Sequence, residues 1–125
     1  MQHILFIGAG GFLGAIARYL ISRYLSNYFP SFPLGTLVVN VIGSFLLGFI
    51  MYSVAYGKSM PADLRDLLTI GFIGAFTTMS TFSYETIRLT ELNEFLFAFL
   101  NLALNLFLCL SAVYLSKELA ILINK

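Results

Sequence analysis

The chain has 125 residues, of which 59% are hydrophobic and 10% charged, with a formal net charge of +1. An average soluble domain carries roughly 25% charged residues, so the apolar surface of this chain has to meet lipid or another subunit. The near-neutral charge gives no electrostatic footprint for nucleic acid, the lone Cys109 forms no intrachain disulfide, and no Cys/His spacing marks a zinc or iron-sulfur site.

The opening run MQHILFIGAGGFLG has no lysine cluster before its apolar stretch, so it reads as a mature helix over residues 4–25 rather than a cleaved leader. Its glycines resemble a dinucleotide-binding turn only superficially. Gly8 and Gly10 occupy the first and third fingerprint positions, but Leu13 stands at the sixth and no acidic residue occurs before Asp63. Gly10 and Gly14 instead form a GxxxG face suited to close helix contact in lipid. Arg18 interrupts the apolar run, and a charge at that depth snorkels to an interface or faces a watery cavity. His3, the sole histidine, reads as an interfacial residue.

SNYFPSFP is an interfacial turn, and the 34 uncharged residues between Arg23 and Lys58 accommodate a second helix over 34–56. Thr36, Asn40 and Ser44 are spaced by four and share one face. That stripe reads as interhelical glue or as a path. Gly43 and Gly48 repeat the small-residue pattern of the first helix.

The third span, over 67–89, has the hydroxyl-rich centre GAFTTMSTFS. Gly71 and Gly74 followed by Thr77, Thr78, Ser80 and Thr81 predict a break whose backbone groups are satisfied inside the protein. Phe76, Met79 and Phe82 recur every three residues, which by itself describes core packing. Donors interleaved with such side chains also suit the dehydration of a small anion. Glu85 follows as a helix-end group or as part of the same path.

The fourth helix is predicted over 95–116, with the tail AILINK extending it or lying along the interface, and with Asn101, Asn105 and Cys109 on one face as bundle glue or pore lining. Four crossings put both termini on one side. Lys58, Arg65, Lys117 and Lys125 then oppose only Arg23 and Arg88, a weak bias that leaves insertion in both orientations open.

GGFLGAIARY at 10–19, GTLVVNVIGSFLLG at 35–48 and GFIGAFTTMSTFSYE at 71–85 together resemble the Fluc (CrcB) family of fluoride channels, across nearly the whole chain. The resemblance implies an all-α integral membrane protein of four transmembrane helices with a broken third helix, forming a single domain over 1–125. It also implies an antiparallel dual-topology homodimer in a bacterial plasma or inner membrane, with two passive fluoride pores and a structural Na+ at the dimer centre. By motif position, the backbone carbonyls of Gly74 and Thr77 hold that ion. Asn40, Thr36, Ser80, Phe82 and Asn105 fall at pore positions, Glu85 beside the path and Arg18 near the vestibule. Met79 also falls in the pore, but departs from the usual first phenylalanine of a pair and offers a flexible thioether in place of a polarised ring edge. Cys109 replaces a common small hydroxyl.

Two other readings compete: a proton- or sodium-coupled anion transporter using Glu85, and a nonconducting membrane assembly protein whose polar residues are only glue. An enzyme is not expected, since the sequence offers no Ser/His/Asp set and no metal-ligand spacing.

Overall fold

The computed structural model describes residues 2–125 and has four long helical spans, the third of them interrupted. Helix α1 covers Gln2–Tyr28, α2 covers Leu34–Ala55, and the third span runs from Ala62 to Glu91. That span comprises α3 (Ala62–Asp66), a π-helical segment (Leu67–Ile73), α4 (Gly74–Phe76) and α5 (Met79–Glu91). Helix α6 covers Phe95–Ile123. All four spans are long and apolar enough to cross a membrane.

Small residues decide which helices touch. Lipid tails are as apolar as leucine, so helices associate where backbones approach closely and dispersion contacts accumulate. On α1, a Cβ at Gly10 would overlap the Leu67 carbonyl and one at Gly14 the Phe72 carbonyl, so both glycines seat α1 on the π-helical segment. Gly71 returns the contact, with its own missing Cβ directed at the Ile7 carbonyl. A π segment places carbonyls off the usual helical ladder, and here the displaced Leu67 and Phe72 carbonyls lie against glycines. On α2, Gly48 admits Ser116 and the Val113 backbone of α6, while Gly35 rests on Ser22 of α1. Gly14→Ala is expected to destabilise the folded protein by about 1–3 kcal/mol, because backbone cannot yield as a side-chain tip does. The thermal midpoint of the detergent-solubilised protein reads this directly, and an unchanged midpoint would mean that the α1 seat relaxes freely.

The helix ends differ from the sequence expectation in several places: the third span already begins at Ala62 rather than at Leu67, because α3 continues directly into the π-helical segment, and α1 and α6 run past their predicted ends. Helix α1 continues to Tyr28, because nothing before Pro30 removes a backbone donor; Ser26 Oγ donates to the Ser22 carbonyl and Phe29 N–H to the Leu25 carbonyl. Helix α6 passes through Lys117 and Glu118 to Ile123. Charge positions a helix relative to the bilayer but does not end it. The Lys117 ammonium lies 5.8 Å from the Tyr52 ring and 6.0 Å from that of Tyr114, while Ala120 is fully buried. Asn124 closes the helix by donating to the Ala120 carbonyl at 2.8 Å and to Ser53 Oγ at 3.3 Å.

His3 has a defined partner beyond its interfacial position. Its Nε2 lies 2.8 Å from Asp66 and its Nδ1 3.4 Å from Asp63, which ties the start of α1 to α3.

Candidate ion path at the helix break

The third span opens between α4 and α5. Thr77 (φ −91°, ψ 157°) and Thr78 (φ −152°, ψ 125°) are extended, and both of their N–H groups and the Thr78 carbonyl can be followed to a partner. Thr77 N–H still reaches the Ile73 carbonyl at 3.0 Å, and its hydroxyl donates to the same oxygen at 3.1 Å. Thr78 N–H turns away from the helix axis and donates to Asn40 Oδ1 at 2.9 Å. The Thr78 carbonyl accepts from Asn40 Nδ2 at 3.2 Å. Thr78 Oγ1 caps α5 by accepting from Thr81 N–H at 3.2 Å.

Two carbonyls lose their donors in this exchange. In an unbroken helix Thr78 N–H would serve Gly74 and Thr81 N–H would serve Thr77. Both donors now go to side chains. The break thus leaves the Gly74 and Thr77 oxygens without their helical partners, a donor set suited to a hard cation. Among the described residues, no cluster of histidine, cysteine or carboxylate side chains forms a metal site.

Arg18 is half-buried beside the break, where its Nε donates to the Ala75 carbonyl at 3.0 Å. The sequence resemblance puts this arginine near a vestibule; in the structure its guanidinium is tied to the C-terminal end of α4. A cation there complements the partial negative charge of exposed helix carbonyls.

The break borders an open groove of about 740 Å3, whose walls include Asn40, Thr78, Met79, Phe82, Asn105 and Cys109. Met79 is 73% exposed, and Ser80 beside it is exposed as well. Ser80 Oγ lies 3.2 Å from Thr78 Oγ1. No lysine or arginine lines the groove among the described residues. An anion there would meet hydroxyls, amides and apolar edges, and no countercharge to trap it.

Thr36 and Glu85 stand outside that lining but together. Thr36 is buried against the Glu85 carboxyl, and Glu85 Oε1 is buried with no hydrogen-bond partner among the described residues. Thr36 is one helical turn from Asn40 and Glu85 one turn from Phe82, so this pair lies next to the groove's polar wall.

Asn40 and Asn105 are more tightly committed than their sequence positions foretell. Both amide hydrogens of Asn40 are engaged, by the Thr78 carbonyl and by Asn105 Oδ1 at 3.1 Å. Asn105 is buried and also bonds Asn101, which has no exposed surface. Thr86, whose hydroxyl accepts from Asn101 Nδ2 at 2.8 Å, gave no signal in the sequence. The only hint is the four-residue spacing of Thr86 and Thr90, which fixes neither residue's partner on another helix.

A family model described as CrcB-like protein, Camphor Resistance (CrcB), matches residues 5–117. The chain is 50% identical over 117 residues to fluoride-specific ion channel FluC 1 of Methanosarcina acetivorans, covering 94% of this chain and 89% of the relative. It is 49% identical over 117 residues to fluoride-specific ion channel FluC of Methanococcus maripaludis, covering 94% of each chain. The same channel of Shewanella woodyi is 48% identical over 120 residues, covering 95% of this chain and 96% of its own. The matched residues take in most of every span, and the chain belongs to the CrcB family.

Proposed function

We propose that this multi-pass integral membrane protein is a passive, fluoride-selective channel, and that it works as an antiparallel, dual-topology homodimer with two pores. The observation that carries the reading is the helix break at Thr77 and Thr78 beside a groove free of lysine and arginine, in a chain whose relatives bear the name of fluoride-specific channels. A channel changes no covalent bond, so no catalytic residue is required.

Fluoride is small and strongly hydrated, and a selective route has to replace its water with a few well-placed donors while rejecting larger halides by width. The Ser80 and Thr78 hydroxyls supply donors at the mouth of the break. Phe82 turns the positive edge of its ring toward the ion. Met79 keeps the opposite wall apolar, with a thioether that adapts to the passing ion. Thr36 and Glu85 continue the path one turn further along α2 and α5. Asn40 and Asn105 form the polar wall, and the Arg18 charge raises the local anion concentration without entering the constriction.

A second copy completes the site. Met79, Ser80 and Gly74 are exposed in one protomer, at a depth where lipid would leave hydroxyls and carbonyls unsatisfied. The Gly74 and Thr77 carbonyls of two protomers related by a two-fold axis would give an oxygen cage for sodium. Bound there, the ion supplies a fixed positive charge that ties the two breaks together. The weak asymmetry of lysines and arginines across the spans agrees with insertion in both orientations.

Fluoride efflux from liposomes under imposed pH and sodium gradients tests the passive reading. Efflux should follow the fluoride gradient alone. Rates that track the proton or sodium gradient would instead assign Glu85 to a coupled transporter.

A further inference from the structure

A chain of side-chain hydrogen bonds leaves the first turn of α5, crosses two other helices and returns to the same turn. It starts at the Phe82 carbonyl, which accepts from Thr86 Oγ1 at 2.8 Å. Thr86 Oγ1 accepts from Asn101 Nδ2 at 2.8 Å, and Asn101 Oδ1 accepts from Asn105 Nδ2 at 3.0 Å. Asn105 Oδ1 accepts from Asn40 Nδ2 at 3.1 Å, and Asn40 Oδ1 accepts from Thr78 N–H at 2.9 Å.

Backbone groups fix the direction of every amide in this chain. Thr78 N–H can only donate, so the oxygen of Asn40 faces it and the nitrogen faces Asn105. The Asn101 carbonyl can only accept, so Asn105 presents its nitrogen there at 2.8 Å and its oxygen to Asn40. The Phe82 carbonyl likewise obliges the Thr86 hydroxyl to donate to it and to accept from Asn101. Turning any one amide over would set donor against donor or acceptor against acceptor. A network whose every member is held by a bond of fixed direction favours one geometry.

We infer that Thr86 and Asn101 are positioning residues for the ion path: through Asn105 and Asn40 they brace the turn from Thr78 to Phe82, which carries Met79, Ser80 and Phe82. Neither residue touches the ion. Both are buried in the protomer and neither lines the groove. The brace works at a distance because its two ends are the start and the end of a single turn. The inference rests on the fluoride-channel reading for its functional consequence, and on the hydrogen bonds alone for its geometry.

The test compares Thr86→Val, which keeps the shape and removes the hydroxyl, with Thr86→Ser, which keeps the hydroxyl. Fluoride and chloride efflux are measured from liposomes holding the wild-type or variant protein, after elution as the wild-type assembly. Thr86→Val should slow fluoride efflux by about fivefold to tenfold and raise the chloride share, in line with one buried hydrogen bond lost. Thr86→Ser should stay within about twofold of wild type. Because both changes cut one chain, Thr86→Val with Asn101→Leu should be no slower than the slower single variant. Wild-type rate and selectivity in Thr86→Val would overturn the brace, as would equal losses in Thr86→Val and Thr86→Ser, which would mark a packing role.

Amide hydrogen exchange at Thr78 in the wild-type protein tests the geometry without any variant or flux. Strong protection is expected, and exchange at the rate of an unbonded amide would overturn the brace even where Thr86→Val fails to assemble. If the wild-type protein itself passes no fluoride, the channel reading fails, and Thr78 exchange alone decides the brace.

Discussion

Asn40→Asp is expected to slow fluoride efflux from proteoliposomes by at least about a hundredfold, with the protein still assembled. The two side chains have the same shape. Aspartate keeps the acceptor for Thr78 N–H, but it sets an oxygen against the Thr78 carbonyl and Asn105 Oδ1, where Asn40 now donates at 3.2 and 3.1 Å. An ionised carboxylate would also place a negative charge on the wall of an anion path. A charge at mid-membrane costs about 3 kcal/mol, and each 1.4 kcal/mol added to a barrier is about tenfold in rate. Asn40→Ala removes the donors and adds no charge, so its loss should be smaller. Equal flux through Asn40→Asp and wild type would show that position 40 faces neither the ion nor the break that shapes its route.

The second large effect is steric, and it should be reversible. A Cβ on Gly43 would collide with the Thr77 methyl group, while the next atoms, on Phe76 and Ile73, would stand at ordinary contact distances of 3.5 and 3.7 Å. Thr77 is β-branched and its hydroxyl is held by the Ile73 carbonyl, so its methyl cannot rotate aside without breaking that bond. Gly43→Ala should therefore displace the break and reduce fluoride flux by roughly tenfold or more, as overpacking costs about 1–3 kcal/mol. Adding Thr77→Ser removes the colliding methyl and keeps the hydroxyl. Flux in the double variant should return to within a few-fold of wild type. A double variant as slow as Gly43→Ala would mean that the loss comes from contacts other than this one.

The four spans were legible because lipid makes simple demands: long uncharged runs and a glycine at each close approach. Gly10, Gly14 and Gly48 were read as contact faces, and each admits backbone or a small side chain of another helix. The break was legible for a related reason. GAFTTMSTFS holds too many hydroxyls for a lipid-facing helix, and the chain becomes extended at Thr77 and Thr78 within it. The span of α6 was placed to Ser116 because Lys117 and Glu118 look like a boundary, and of the two courses open to the tail AILINK the structure takes the helical one, with Lys117 between Tyr52 and Tyr114 and with Asn124 at the end.

The side-chain connections were a different matter. Thr36, Asn40 and Ser44 form a stripe on α2 in sequence, but the bonds that hold Asn40 come from α6 and from the break. Helical periodicity tells which residues share a face and says nothing of which face another helix brings to it. The same gap hid the Arg18 bond to the Ala75 carbonyl and the role of Thr86. The π-helical turn also left no mark in the residues, although its backbone lies directly against Gly10 and Gly14 of α1.

The measurement that bears most directly on the central claim is paired fluoride and chloride efflux from liposomes carrying the purified protein, at equal driving force and read with ion-selective electrodes. Rapid fluoride loss with little chloride loss is the predicted result. Comparable loss of both ions, or no loss of fluoride from correctly assembled protein, would contradict a fluoride-selective path at the break.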